Sequence, residues 1–142
     1  MPYFTTDDGV RLHYQIHGAG KPVVLIHGLT ASSLFFRKQI PELSRHFQII
    51  APDLRGHGKS ETRSDHLTLL RLAHDLKQLL DGLNISQVSL IGWSMGAHVI
   101  FEYIKNYSCK AIDKIVIIDM TPKLLKSDDW HYGLPGVFSR KP

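Results

Sequence analysis

The chain of 142 residues holds a single cysteine, Cys109, so it has no internal disulfide and a reducing compartment is expected. Long apolar runs are missing too. The longest aliphatic stretches, residues 23–26 and 115–118, fall far short of the roughly 20 residues needed to cross a bilayer. The opening residues, 1–8, have no apolar signal core, which makes the cytoplasm the expected location and gives no reason to expect a membrane partner. Clustered charge is also lacking. The formal net charge is +4, but the basic residues are scattered and build no block, so no nucleic-acid partner is expected. No internal repeat or low-complexity segment stands out. What remains is an ordinary globular composition, 43% hydrophobic and 21% charged, with length enough for one buried core.

Residues 3–6 and 10–17 alternate apolar and polar side chains on either side of Asp8-Gly9, a hairpin signal that predicts two antiparallel edge strands. Gly18 to Pro22 reads as a turn. Residues 23–26, 47–51, 88–91 and 115–118 are short continuous apolar runs, as in strands covered on both faces. Between them, Ser32 or Ser33 is placed to cap a helix reaching about Arg45, with Pro41 marking a kink or a restart. Leu69, Leu72, Ala73, Leu76, Leu79 and Leu80 follow helical spacing, closed by Asp81-Gly82. A further helix over 95–107 turns Val99, Ile100, Tyr103 and Ile104 inward. This order predicts an α/β fold: a mostly parallel twisted sheet with helices on both faces and an antiparallel N-terminal hairpin. Active groups in such sheets collect at the carboxyl ends of the strands, and Leu29, Asp53, Ser94 and Asp119 all fall just past such ends.

The organising stretch is Gly92-Trp93-Ser94-Met95-Gly96, set between a strand and a helix. In that setting G-x-S-x-G acts as a nucleophile elbow. A serine on so sharp a turn has strained backbone angles and tolerates no bulk two residues to either side. The helix start aims N–H groups and partial positive charge at the space beside the serine oxygen, where a substrate's carbonyl oxygen becomes an oxyanion. The plainer reading is a glycine-rich turn whose serine caps the helix.

Two other segments bear on that choice. With the elbow, His27-Gly28-Leu29 and Asp53-Leu54-Arg55-Gly56-His57-Gly58-Lys59-Ser60 resemble the α/β-hydrolase fold superfamily. In that family H-G-x follows the third strand, D-x-R-G-x-G-x-S the fourth and G-x-S-x-G the fifth. All three occur here in that order, and the resemblance covers nearly the whole chain but only the front half of such an enzyme. It implies a serine hydrolase acting on small apolar carboxylic esters through an acyl-enzyme, with Ser94 as nucleophile. It further implies that the backbone N–H groups of Leu29 and Met95 hold the oxyanion, and it implies no metal or organic cofactor. Serine rather than aspartate at the elbow argues against the haloalkane dehalogenase and epoxide hydrolase branches, whose elbow carries a carboxylate. The pattern is nearest to small carboxylesterases and cofactor-free perhydrolases.

Phe35, Phe36, Trp93 and Trp130 are candidates for an apolar substrate pocket, the two phenylalanines equally for core. Gly58-Lys59-Ser60 is not a phosphate loop, because Asp53 stands where that motif needs its first glycine. Asp53, Arg55 and His57 are instead expected in a hydrogen-bonded turn, and His27 is expected to brace its own turn. Asp119 is the candidate acid, or else a cap for the turn at Thr121-Pro122.

The general base is harder to place. The family order is nucleophile, acid, histidine. Eight of the nine histidines precede Asp119, and His131 lies in the segment 123–142, which reads as the start of a lid. His98, one turn beyond Ser94, reads as packed or surface. The preferred expectation is that the usual histidine and the last strands are absent, making 1–122 the front of a truncated α/β-hydrolase core. The 115–118 strand then becomes an exposed edge that drives self-association. The alternative is an inactive fragment that binds a small apolar ligand or a complementary chain.

Overall fold

The computed structural model describes residues 2–63, 67–123 and 127–131. Strands β1 (Tyr3–Thr5) and β2 (Arg11–His17) form the expected hairpin. Its turn closes with Gly9 N–H donating to Thr6 O at 2.9 Å, and Gly9 takes φ +84°, a left-handed conformation that side chains oppose. Of these two strands only β1 is at the sheet edge. The far side of β2 pairs antiparallel with β4 (Gln48–Pro52), because a seven-residue strand would otherwise leave a row of N–H and C=O groups unpaired. The expectation of two edge strands is corrected accordingly.

With β3 (Pro22–Ile26), β5 (Val88–Trp93) and β6 (Ile112–Ile118), the sheet runs β1-β2-β4-β3-β5-β6 and is parallel from β4 onward. Alternation along the strands divides their side chains between two cores. Val23, Leu25, Ile49 and Ala51 pack with Phe36 and Ile40, from the 3-10 turn Ser33–Phe36 and the short helix α1 (Ile40–Leu43). Val24, Ile26, Ile50 and Leu90 pack under α2 (Leu69–Gly82) and α3 (Met95–Tyr107). In α2 the buried positions Leu72, Leu76, Leu79 and Leu80 keep helical spacing, each leucine contributing about 1.5–3 kcal/mol of transfer free energy. Thr68 caps that helix by accepting the Arg71 N–H at 3.1 Å.

The segment expected as one helix to Arg45 is two pieces. Ser32 caps the 3-10 turn, and the chain restarts at Ile40 with Pro41 in the first turn, where its missing N–H costs nothing. The expected burial of β6 is also corrected. Ile115, Val116 and Ile118 are 40%, 47% and 40% exposed. An apolar run reports what a strand is suited to, and β6 is the last strand in the sheet among the described residues, covered incompletely on either face. The bare apolar edge expected there is present. The segment 123–142 expected as the start of a lid falls mostly outside the described residues. Among the described residues no helix is long and apolar enough to cross a membrane.

Candidate active site

A single residue separates β5 from α3. Ser94 takes φ +52° and ψ −119°, a conformation that costs a non-glycine residue about 1–3 kcal/mol and persists only where its surroundings impose it. Here they do. A Cβ at Gly96 would overlap the Ile26 carbonyl oxygen, and one at Gly92 would lie 2.7 Å from the Ala97 nitrogen. The helix therefore starts closer to the sheet than any side chain permits. Two bonds pin the bend: Ser94 N–H donates to Ile118 O at 3.0 Å, and Ala97 N–H donates to Ser94 O at 3.0 Å. The Ser94 hydroxyl makes no capping bond, so the serine is not there to cap α3.

The His27-Gly28-Leu29 turn lies directly against this bend. A Cβ at Gly28 would stand 3.0 Å from Cε3 of Trp93 and 3.1 Å from Cβ of Ser94. His27 braces the turn as expected. Its Nδ1 lies 2.8 Å from Gly28 O, and its Nε2 accepts the Leu54 N–H at 2.9 Å, which assigns the proton to Nδ1 of a neutral ring. Burial lowers the His27 pKa, only partly offset by the Gly28 carbonyl. Leu29 follows on the solvent side, 57% exposed. Met95 opens α3, where the first N–H groups have no acceptor within the helix. The residues expected to hold an oxyanion thus sit on the two segments that meet at Ser94.

Phe35 and Trp93 stack, with ring centroids 3.7 Å apart and planes 3° from parallel. Phe35 is on the rim, whereas Phe36 is core, 3% exposed. Trp130 pairs with Ser127 in an isolated bridge and is not part of this stack.

The loop after β4 is built on charges. Asp53 Oδ1 accepts the Ser33 N–H at 2.7 Å, while Oδ2 accepts the Lys59 N–H at 3.0 Å and faces His13 Nδ1 at 2.9 Å. Burial pushes the Asp53 carboxyl up, but the donors from Lys59, Ser33 and His13 outweigh it and hold the pKa below the ordinary value. Arg55, without solvent exposure, is paired twice over. Its Nε and Nη2 reach Asp75 at 2.9 Å each, and Nη1 and Nη2 reach Asp8 at 2.7 and 2.9 Å. His57 Nδ1 lies 2.9 Å from Arg55 O. The structural role expected of this segment is what the contacts describe.

Sequence reasoning missed Asp8, Asp75 and His13 as partners here. Asp75 carried a signal: it shares the inward stripe of α2 with Leu72, Leu76 and Leu79, where a carboxylate needs a buried cation. His13 carried none, since its pairing depends on the register of β2 against β4.

No described histidine is bonded to Ser94. His13 faces Asp53, His17 bonds Gln15, His57 bonds Arg55 O, and His74 lies between the Tyr107 hydroxyl and Asp7. His46 faces Glu42 on the surface. The Nε2 of His98 is buried without a hydrogen-bond partner, its ring edge-on to Phe101, and burial lowers its pKa. His131 is exposed, and His66 lies outside the described residues. Asp119, at φ +56°, directly follows Ile118, whose carbonyl takes the Ser94 N–H. It therefore stands beside the bend in the backbone, without a described histidine bonded to it.

A void of about 20 Å³ lies near Leu12, Ile26, Arg55 and Leu76, an open depression of about 280 Å³ sits at the amino ends of β3 and β5, and another of about 390 Å³ lies beside Arg71, His74 and Tyr107. Ser94 follows the opposite, carboxyl end of β5 and is half-buried. Among the described residues no three His, Cys, Asp or Glu side chains are grouped to hold a metal.

Comparison with known proteins bears on the family and the fold. Residues 21–140 match the family model of the alpha/beta hydrolase fold. A soluble epoxide hydrolase from Corynebacterium sp. (strain C12) is 37% identical over 122 residues, covering 86% of this chain and 42% of that protein. Non-heme chloroperoxidase CPO-A1 from Kitasatospora aureofaciens is 33% identical, covering 95% of this chain and 50% of that one. Among solved structures, an esterase from Exiguobacterium antarcticum superposes with a TM-score of 0.88 at 27% identity, over 93% of this chain and 50% of its own. The chain spans about half the length of the relatives it matches. By its motifs, its sheet order and these similarities, the chain belongs to the α/β-hydrolase fold family.

Proposed function

We propose that this chain carries the nucleophile side of a serine hydrolase that cleaves carboxylic esters through an acyl-enzyme. The observation that carries the reading is the strained Ser94, free of a capping role, with the Gly28 turn pressed against it. In the reaction, Ser94 Oγ bonds to the carbonyl carbon and its proton passes to a base. The oxyanion is held by the Leu29 and Met95 N–H groups. The alcohol then leaves with the proton, and water releases the acid by the same route in reverse. Phe35 and Trp93 form the apolar wall beside the serine.

The relatives' names include an epoxide hydrolase, a chloroperoxidase and an esterase. A serine at the elbow favours acyl over alkyl transfer, because opening an epoxide by covalent attack calls for a carboxylate there. Asp119 is the acid candidate on this chain. The base belongs to the length of fold that the chain does not share with its relatives. Without it, acceleration of about 10³–10⁴ over water remains from the oxyanion hole and binding. The test is labelling by a fluorophosphonate probe and turnover of a short-chain nitrophenyl ester, each beside Ser94→Ala. Slow labelling that vanishes in Ser94→Ala supports the reading, and equal signals from both chains defeat it.

The exposed β6 favours a second reading, in which the chain is a binding partner. Ile115, Val116 and Ile118 leave an apolar strand edge open to pairing with another strand. Concentration-dependent association that Val116→Lys abolishes supports it, whereas a strictly monomeric parent chain counts against it.

A further inference from the structure

His13 has no solvent exposure and belongs to none of the motifs. Its Nδ1 faces Asp53 Oδ2 at 2.9 Å, and its Nε2 is buried without a hydrogen-bond partner. An ionised carboxylate only accepts, so Nδ1 carries a proton toward Asp53, while Nε2 is left without a partner in a ring that meets Tyr3 with centroids 5.2 Å apart. An orphaned buried polar atom is destabilising, and an aliphatic side chain would fill the same space without it. What the histidine supplies instead is a donor at one point.

That point leads to the catalytic bend. The other oxygen of Asp53 holds the Ser33 N–H at 2.7 Å. Ser33 opens the 3-10 turn that carries Phe35, Phe35 lies flat on Trp93 at 3.7 Å, and the next residue is Ser94. Two further bonds tie β2 to the same assembly. Gln15 Nε2 donates to Ser33 Oγ at 3.2 Å, and Ser60 Oγ accepts the His13 N–H at 2.8 Å while donating to Asp53 O at 2.6 Å. In the sheet β2 is separated from β5 by β4 and β3, yet it reaches the elbow through Asp53 and Ser33.

We propose that His13 is a positioning residue: through its Nδ1 donor it orients the Asp53 carboxylate that seats the Ser33 turn, and so holds Phe35 flat against Trp93 beside Ser94. The role of that stack in substrate binding rests on the ester-hydrolase reading; the relay itself rests only on the contacts above.

Asparagine and glutamine separate the idea from mere space-filling. Asn places an amide nitrogen where His13 has Nδ1, and Gln places it where His13 has Nε2. The variants are made in a Trp130→Phe background, which leaves Trp93 as the only tryptophan, with Phe35→Ala as the marker for a lost stack. His13→Asn is expected to keep the parental Trp93 emission and acrylamide quenching. His13→Gln is expected to move both roughly half of the way or more toward Phe35→Ala and, where ester turnover is measurable, to raise KM more than it lowers kcat. Asn and Gln variants that behave alike, both parental or both equally shifted, overturn the proposal. Should neither variant melt cooperatively, the unaltered chain decides by hydrogen exchange. The His13 Nδ1 proton and the Ser33 amide are both expected to be protected, and either one exchanging as fast as in an unstructured peptide overturns the proposal. The expected fluorescence pattern with labelling and turnover no different from Ser94→Ala would defeat the hydrolase reading and leave the relay standing.

Discussion

Gly28 and Ser94 meet so closely that a β-carbon on the glycine would stand 3.1 Å from that of the serine. One turn from the third strand and one bend after the fifth are thereby held as a single rigid corner. The proposed hydrolase activity depends on that corner, because an oxyanion donor on one segment would serve a nucleophile on the other only at fixed separation.

Gly28→Ala tests the contact directly. The new methyl also meets Trp93 Cε3 at 3.0 Å, so the turn must retreat by a few tenths of an ångström. The expected outcome is a drop of about 10²-fold in the rate of fluorophosphonate labelling, with a stability loss of about 1–3 kcal/mol by denaturant titration. Labelling at the parental rate would show that the turn takes no part.

Ser94→Gly separates strain from chemistry. Glycine accepts φ +52° and ψ −119° freely, so the variant is expected to gain about 1 kcal/mol in urea unfolding while losing all labelling. A destabilised glycine variant would mean that the serine side chain contributes more to packing than its backbone costs.

Arg55→Met strips Asp75, only 5% exposed, of its two-bonded partner and leaves it and Asp8 to Arg71. The expected loss is about 3–5 kcal/mol, read from the denaturant midpoint. Arg55→Met combined with Asp75→Leu is expected to recover part of it, since the buried charge is then gone.

Stability is expected to fall with pH in two stages. Burial lowers the pKa of His27 and of His98, so the unfolded chain takes up protons first and stability declines as pH drops below about 6.5. The Arg71 bond to Asp7 and the Arg55 bond to Asp8 hold those carboxyls well below the usual range. Their contribution is present above about pH 4 and is lost below it. Unfolding midpoints measured from pH 8 down to 3 check the sign, and a midpoint that rises on acidification contradicts it.

Local pattern alone determined a good deal. Helical spacing placed α2 and α3, the 95–107 boundaries matched, and the three glycine-bearing motifs placed the elbow, because periodicity and backbone permissiveness are properties of short stretches. Only the tertiary structure decided that β2 lies inside the sheet, that β6 is its exposed last strand among the described residues, and that Phe35 rather than Phe36 meets Trp93. It likewise decided that Arg55 pairs with Asp8 and Asp75, and His13 with Asp53. These pairings join residues 20 to 47 positions apart, and their register follows from how strands and helices stack, which no short window of sequence contains.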